Sequence, residues 1–323
     1  MSKIKKIFYS QKIAPYVFVL PFLLSFLIFW MYPLFSTVKM SFQSVLPGQV
    51  EWVGAANYTK LLKDTVFHTA ILNSGKYTLF TIALLIPFPM LFAVMMESRL
   101  TKAKGLWKAI LYLPALTSVV VAGTIFRLMF SELHGSAMNQ LIGWFGAGPL
   151  KWLKESTTGM LALLLLACWR WTGVNTLYFI AGLKNIDTAL YESADIDGAT
   201  KWQKFRFVTV PLLKPTSIYV LTISIYAGLS MFLESFMLWN GNASPKNIGL
   251  TIVGYLYRRG IEKNQLGYAS AVGLELLMFA LITNIFQLVM KGTFKQEERE
   301  NGERKRKRAV INKQKQTGIS GSQ

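Results

Sequence analysis

Three charged side chains lie inside long apolar stretches of this chain and could do polar chemistry there. They are Arg170, Glu234 and Glu275. A charge that faces lipid is costly, so each should face the protein interior or a wet cavity. Such residues mark the path of a polar solute, although a structural ion pair of Arg170 with Glu234 or Glu275 would satisfy the same requirement.

The segment CWRWTGVNTLYF surrounds Arg170 with aromatic and amide side chains. Flat aromatic faces and hydrogen-bonding groups together suit the binding of a polar organic solute. Trp169 and Trp171 are two residues apart and cannot share one face of a helix. The candidate pathway residues in this segment are Arg170, Trp171, Asn175 and Tyr178, and Glu234 and Glu275 complete the set.

The sequence contains no candidate for catalysis, so we do not expect an enzyme. It has neither a G-x-S-x-G motif nor paired carboxylates, and no G-x-x-x-x-G-K-[ST] loop for ATP. Cys168 is the only cysteine, and neither His68 nor His134 has a neighbouring Cys or His at ligand spacing. We therefore expect no metal and no cofactor bound by this chain.

The elements that must position these residues are membrane spans. Hydrophobic residues make up 52% of the chain and charged residues 16%, whereas charged residues are about a quarter of a soluble domain. A span needs about 20 apolar residues. Six stretches qualify and predict an all-α, polytopic membrane protein with six transmembrane helices. They lie near residues 13–35, 72–96, 107–131, 158–183, 212–239 and 268–290.

Lysine and arginine in the connections predict the orientation. With the N-terminus in the cytoplasm, the inside segments hold 23 of these residues and the outside segments hold 9. Both termini are therefore expected in the cytoplasm, with 1–12 as an N-terminal segment before a retained signal anchor. The tail 295–323 is basic and polar, which predicts disorder near anionic lipid headgroups rather than nucleic-acid binding, despite a net charge of +19.

The cytoplasmic loop 187–211 has an unusually specified sequence, YESADIDGATKWQKFRFVTVP from Tyr191 onwards. Asp187 or Thr188 can cap a first short helix, and Gly198 permits a sharp turn. A second helix is expected at 199–208, ending before Pro211. The loop could pack against the ends of the chain's own helices, but docking into another protein better explains an apolar loop with a fixed turn. The candidate docking residues are Tyr191, Glu192, Ala194, Asp197, Gly198, Ala199, Trp202, Phe205 and Pro211.

The loop resembles the EAA loop of permease subunits in binding-protein-dependent ABC importers, within the carbohydrate branch that includes maltose and glycerol-phosphate permeases. Matching positions run from Glu192 through Gly198 to Pro215. Ser193, Asp187 and Val210 depart from the usual alanine, proline and leucine. Resemblance extends over about 13–294, including APYVFVLPFLLSFLIFWMYPLFSTVKMSF and LPALTSVVVAGTIFRLMFS, and MSFQSVLPGQV is weakly similar to arabinose and arabino-oligosaccharide permeases.

The resemblance implies a type I ABC importer permease fold in the bacterial cell membrane. It implies a second homologous permease, two ABC ATPase subunits that hold ATP and Mg, and an extracellular solute-binding lipoprotein as partners. The EAA loop would be the coupling helix, and Arg170 and its aromatic neighbours would line a sugar path. A permease for a non-sugar solute such as glycerol phosphate is an alternative, and a secondary transporter, which would need no docking loop, is another.

Overall fold

The computed structural model describes residues 13–98 and 101–290, without the side chain of Met290. The predicted segments 1–12 and 295–323 lie outside the described residues. Up to Leu276 the chain forms one compact unit, and residues from Leu277 onwards form a second one. The described part of the second unit is the end of the last helix.

The first part of the chain contains one interrupted helix, a hairpin and two long helical stretches. A π-helical turn, Leu27–Met31, joins the first two helices. The elements are α1 (Ala14–Phe26), α2 (Tyr32–Ser41), β1 (Gln43–Leu46), β2 (Gln49–Trp52), α3 (Ala56–Lys63), α4 (Thr65–Leu85), α5 (Pro87–Glu97), α6 (Lys104–Leu116), α7 (Val119–Met129) and α8 (Ala137–Gly143).

The second part begins with the longest helix and alternates long helices with short ones. The helices are α9 (Ser156–Lys184), α10 (Thr188–Ile196), α11 (Lys201–Lys204), α12 (Val210–Leu212), α13 (Lys214–Leu229), α14 (Leu233–Leu238), α15 (Ile252–Tyr257) and α16 (Leu266–Met290). π-Helical turns occupy Phe205–Thr209 and Arg258–Glu262, and a 3₁₀ turn occupies Pro245–Asn247.

The expected spans are only partly continuous helices. Within the described residues, four helical stretches are long and apolar enough to cross a membrane: Ala14–Ser41, Thr65–Glu97, Ser156–Lys184 and Leu266–Val289. Two bent pairs raise the number to six if each is counted as one span. α6 and α7 meet at 92°, and the stretch Lys201–Leu212 meets α13 at 64°.

The expected fifth span, 212–239, is broken as well. α13 ends at Leu229, and the chain leaves helical geometry before α14 begins at Leu233. Hydrophobicity is continuous across this break, which is why the apolar run predicted one helix. The break ends just before Glu234, so the backbone departs from helical geometry next to this largely buried carboxylate.

A β-hairpin corrects the strictly all-α prediction. β1 and β2 pair antiparallel, with Val45 opposite Val50 and Leu46 opposite Gln49. Pro47 and Gly48 form the connection, and Gly48 has a φ of +77°, which glycine adopts without steric cost. The hairpin follows α2 directly, in the stretch MSFQSVLPGQV.

The core is centred on α9, which packs against α4, α5 and α6. One apolar cluster surrounds its N-terminal half, including Leu163, Leu166 and Phe130, and another surrounds its C-terminal half, including Phe179. Small residues let helices approach closely in membrane proteins. At Gly173 the approach is extreme, since a Cβ there would lie 1.8 Å from the carbonyl oxygen of Leu111 in α6.

Candidate functional site

A cavity of about 290 Å³ lies between α4, α9, α13 and the start of α14. Its wall mixes aromatic, hydroxyl and amide groups with a single charged side chain, which is the composition of a site for a polar organic molecule. The lining residues are Tyr77, Thr81, Leu85, Trp171, Asn175, Ile223, Ser224, Ala227, Gly228, Ser230, Met231 and Glu234.

Four-residue spacing explains how these elements reach one cavity. Tyr77, Thr81 and Leu85 follow each other at intervals of four along α4, and Trp171 and Asn175 do so along α9. Residues four apart share a helix face, so each helix presents one stripe to the cavity. Trp169 is on another face of α9, where its ring lies 5.5 Å from that of Phe126.

Arg170 and Glu234 form the structural ion pair that the sequence left open. The Nη1 atom of Arg170 donates to Oε1 of Glu234 at 2.8 Å, and their side chains are only 11% and 14% exposed. The guanidinium carbon also lies 5.5 Å from the ring centre of Trp171. The buried Nε of Arg170 has no hydrogen-bond partner among the described residues.

Asn175 has a structural contact besides lining the cavity. Its Nδ2 donates to the carbonyl oxygen of Leu85 at 3.0 Å, at the junction of α4 and α5. In a continuous helix the N–H of residue 89 would donate to this oxygen, but Pro89 has no N–H. Asn175 therefore replaces a backbone hydrogen bond that the proline removes.

Two of the predicted pathway residues lie elsewhere. Tyr178 packs edge-on against Tyr219 at 5.3 Å and does not line the cavity. Glu275 is half-buried in α16 and is in none of the ion pairs formed by the described residues. The cavity thus brings together Trp171, Asn175 and Glu234, with Arg170 directly behind Glu234.

Sequence reasoning missed nine of the twelve lining residues. Tyr77, Thr81, Ser224 and Ser230 are polar residues within apolar stretches, but none carries a charge that would draw attention to it. The four-residue interval between Tyr77 and Thr81, and between Ser224 and Gly228, was the available signal.

The loop 187–211 forms two short helices joined by a well-defined turn. Asp187 caps α10 by accepting from the N–H of Ala189 at 2.9 Å. Gly198 has a φ of +72°; its N–H donates to Asp195, and that of Ala199 donates to Ala194. These two bonds are the Schellman arrangement that ends helices at a left-handed glycine.

The second helix departs from its predicted bounds. Thr200 caps α11 in a capping box with Gln203, and helical geometry continues through a π-turn to Leu212. Pro211 does not end the stretch before it as expected: the π-turn Phe205–Thr209 already interrupts the regular backbone hydrogen bonds just before this proline, and the helical stretch includes Pro211 and ends at Leu212.

Side-chain contacts join the two helices of the loop. Lys204 forms an ion pair with Asp195, and the hydroxyl groups of Tyr191 and Thr209 are 2.9 Å apart. Because each contact spans α10 and the following helical stretch, the angle between the helices is fixed from both sides.

Only part of the predicted docking set is fully exposed. Trp202 is 64% exposed, and Glu192, Asp197, Gly198 and Pro211 are exposed too. The remaining members, of which Phe205 packs against the core around the C-terminal half of α9, are half-buried: Tyr191, Ala194, Ala199 and Phe205. Ile196, absent from the predicted set, is 88% exposed at the end of α10.

A polar network at the start of α4 was not foreseen from the sequence. Oδ1 of Asp64 accepts from the N–H groups of Val66 and Phe67, and Oδ2 accepts from Arg259 at 2.6 Å and from the Tyr255 hydroxyl. Burial alone would raise the pKa of the Asp64 carboxyl, but the bonds from Tyr255 and the backbone and the charge of Arg259 lower it below its ordinary value. The network ties the start of α4 to α15 and to the π-helical turn that follows α15.

Comparison with known proteins gives one family and several full-length relatives. Residues 77–293 match the family described as "Binding-protein-dependent transport system inner membrane component". The arabinooligosaccharides transport system permease protein AraP of Bacillus subtilis (strain 168) is 50% identical over 91% of this chain and 93% of its own length. The lactose transport system permease protein LacF of Rhizobium radiobacter is 28% identical over 84% of this chain and 92% of its own.

Solved structures give the same fold. A chain of a bacterial ABC transporter involved in the import of the acidic polysaccharide alginate has a TM-score of 0.78 at 25% identity. The match covers 90% of the present chain and 98% of that chain.

Proposed function

Since this chain belongs to the family of binding-protein-dependent transport system inner membrane components, we propose that it is the permease subunit of an ATP-driven sugar importer. The solute is a sugar or oligosaccharide delivered by an extracellular solute-binding protein. The relatives named for arabinooligosaccharide and lactose transport support this substrate class. The protein is a multi-pass component of the bacterial plasma membrane and has no catalytic role of its own.

The observation that carries the proposal is the cavity between α4, α9 and α13. Trp171 offers an aromatic face, and Asn175, Ser224 and Ser230 offer amide and hydroxyl groups around it. A sugar has apolar C–H faces edged by hydroxyl groups, so it needs this combination. We assign the cavity to the sugar path through this subunit.

The EAA loop supplies the coupling to ATP hydrolysis. Its two helices are held at a fixed angle by the Gly198 turn and by the Lys204–Asp195 pair, so the loop can transmit a displacement as a rigid body. Trp202 and Ile196 give it exposed apolar anchors for a cleft on an ATPase. Two ATPase subunits would hold ATP and Mg, and this chain would pair with a second homologous permease.

Six spans with both termini in the cytoplasm agree with this assignment. Each bent pair then counts as one span, and the loop 187–211 lies on the side of the ATPases. The excess of lysine and arginine in the segments assigned to the inside supports the same orientation. Positive charge of this kind also favours contact with anionic lipid.

The test is ATP-dependent uptake of labelled arabino-oligosaccharide by cells lacking the chromosomal copy of this chain. The wild-type chain should restore uptake, and Trp171→Ala should reduce it several-fold at normal complex yield, because a lost stacking face weakens sugar engagement by about 1 kcal/mol or more. Trp169→Ala is the matched control, since Trp169 is on the same helix but outside the cavity. Equal uptake by the two variants would contradict the assignment of the cavity, and no uptake with the wild-type chain would contradict the function.

A further inference from the structure

The cavity wall contains one charged side chain, Glu234, among its twelve lining residues. Arg170, its ion-pair partner, is not among them, although Nη1 of Arg170 is 2.8 Å from Oε1 of Glu234. The arginine therefore lies behind the carboxylate, buried in α9 and stacked near Trp171. The pair is neutral as a whole, but its negative end is the one presented to the cavity.

The carboxylate also has capacity to bind a solute. In the part of the chain that the structure describes, no group donates to the second oxygen of Glu234. An ionised carboxylate can only accept hydrogen bonds. A hydroxyl group can donate to it, whereas a carboxylate or phosphate on a solute cannot and would be repelled. In a narrow site with low-dielectric walls such repulsion is much stronger than in water.

We propose that Glu234 is a charge filter in this passage, which admits uncharged sugars and disfavours anionic ones such as uronic acids. The inference rests on the proposed sugar-import function and deepens it by giving the charge class of the substrate. The fold itself does not decide that class, because a chain of the same fold belongs to an importer of the acidic polysaccharide alginate. The selection between neutral and anionic sugars must then depend on individual side chains in the path.

The local potential can be measured with a cysteine in the cavity. In the full complex, Cys168→Ala removes the chain's only cysteine, and Ser230→Cys places a thiol at the lining position four residues before Glu234. The thiol is labelled with two small methanethiosulfonates, one carrying a trimethylammonium group and the other a sulfonate. We expect the cationic reagent to react faster, relative to its rate with a free thiol, by about tenfold or more.

Charge variants then show whether the Glu234 carboxylate causes the difference between the two labelling rates. Arg170→Gln with Glu234→Gln removes both charges and should bring the ratio of rates to that of a free thiol. Glu234→Gln alone leaves the arginine and should reverse the preference, in favour of the sulfonate. The double variant keeps the test valid if the single one does not assemble. Glu275→Gln is the matched control, because Glu275 does not line the cavity, and it should leave the ratio unchanged.

The proposed filter would be overturned if the double variant did not change the ratio of the two labelling rates. It would also be overturned if Glu275→Gln changed this ratio by the same amount. Equilibrium binding to the purified complex, without the binding protein, reads out selectivity on the same variants: the wild-type complex should bind arabinotriose more tightly than trigalacturonate, and the double variant should lose this discrimination. Unchanged discrimination would also overturn it. A complex that takes up no sugar when its binding protein is supplied refutes the proposed function whatever the labelling rates, whereas a complex that takes up neutral sugar but shows no charge preference refutes the filter alone.

Discussion

Asn175 has two roles. It lines the cavity, and its amide donates a hydrogen bond to the carbonyl oxygen of Leu85, which Pro89 leaves without a backbone partner. The sequence suggested the first role and not the second. A proline within an apolar run indicates that one backbone hydrogen bond of the helix is missing. Only the tertiary structure shows which side chain replaces that hydrogen bond. Leu85 and Asn175 are 90 residues apart, so no local pattern connects them.

Asn175→Leu should destabilise the protein by about 1–2 kcal/mol, since a buried carbonyl loses its donor. In a Pro89→Ala background the loss should be smaller, because the new N–H of residue 89 can donate to Leu85. Pro87→Ala is the control: its N–H would serve Ala83 instead, so it should not rescue. Thermal unfolding of the purified complex measures the effect of Asn175→Leu in the wild-type, Pro89→Ala and Pro87→Ala backgrounds. Equal losses in the Pro89→Ala and Pro87→Ala backgrounds would disprove the role given to Asn175.

The Arg170–Glu234 pair predicts a different pattern of coupling. Arg170→Gln and Glu234→Gln should each lower the amount of assembled complex, because each leaves an uncompensated buried charge at a cost of about 3–5 kcal/mol. The double change removes both charges and should restore part of the yield. Complex yield after affinity purification is the measurement, with Glu275→Gln as a charge-neutralising control outside the pair. Additive losses in the double variant would show that the two side chains do not depend on each other.

Among the larger elements, hydrophobicity predicted the position of the apolar stretches but not whether each of them is one continuous helix. The expected stretch 158–183 is one helix, Ser156–Lys184, whereas 107–131 is divided into α6 and α7 at 92°. Both runs are predominantly apolar, so hydropathy does not distinguish them. The division follows Pro114, which removes a backbone hydrogen bond two residues before α6 ends.

The EAA loop was predictable in more detail, because its turn depends on local chemistry. The cap at Asp187 and the left-handed Gly198 were both expected from residue type, and both are present. The sequence did not predict which side chains of the loop are buried by contacts within the loop. The contact between Tyr191 and Thr209 joins residues 18 apart, and it removes Tyr191 from the exposed set.

The turn at Gly198 should be essential for coupling by the loop 187–211. Gly198→Val should leave membrane insertion intact and uncouple transport, because a β-branched residue resists a positive φ by about 1–2 kcal/mol and would change the angle between α10 and α11. A Cβ at this position meets no atom within 4 Å, so the effect would come from the backbone and not from a clash.

Gly198→Asn is the matched control, since asparagine tolerates this conformation, and it should remain close to wild type. Glu192→Lys should act like the valine variant by inverting an exposed charge on the docking surface. Co-purification of the ATPase subunit and transport-stimulated ATP hydrolysis are the two readouts. Normal values in both Gly198→Val and Glu192→Lys would remove the coupling role from this loop.

At the scale of the whole molecule, the number of spans depends on how the two bent pairs lie in the membrane. If each pair crosses once, the chain has six spans and both termini share one side. If each pair enters and returns on the same side, only the four long helices cross. The two arrangements place the loops 132–157 and 184–214 on opposite sides, and these loops carry two and five basic residues respectively.

Reporter fusions at Gly146 and Gly198 decide between these arrangements. We expect a fusion at Gly146 to report an outside location and one at Gly198 an inside location, since the more basic loop should remain in the cytoplasm. Fusions at Gly48 and Gly241 should report outside, and those at Lys104 and Gly302 inside. Two re-entrant pairs would reverse Gly146 and Gly198 alone and leave Gly241 and Gly302 as expected. A re-entrant α6–α7 pair by itself would reverse all four of these sites. Either result would refute the six-span arrangement and place the loop 187–211 on the side opposite to the proposed ATPases.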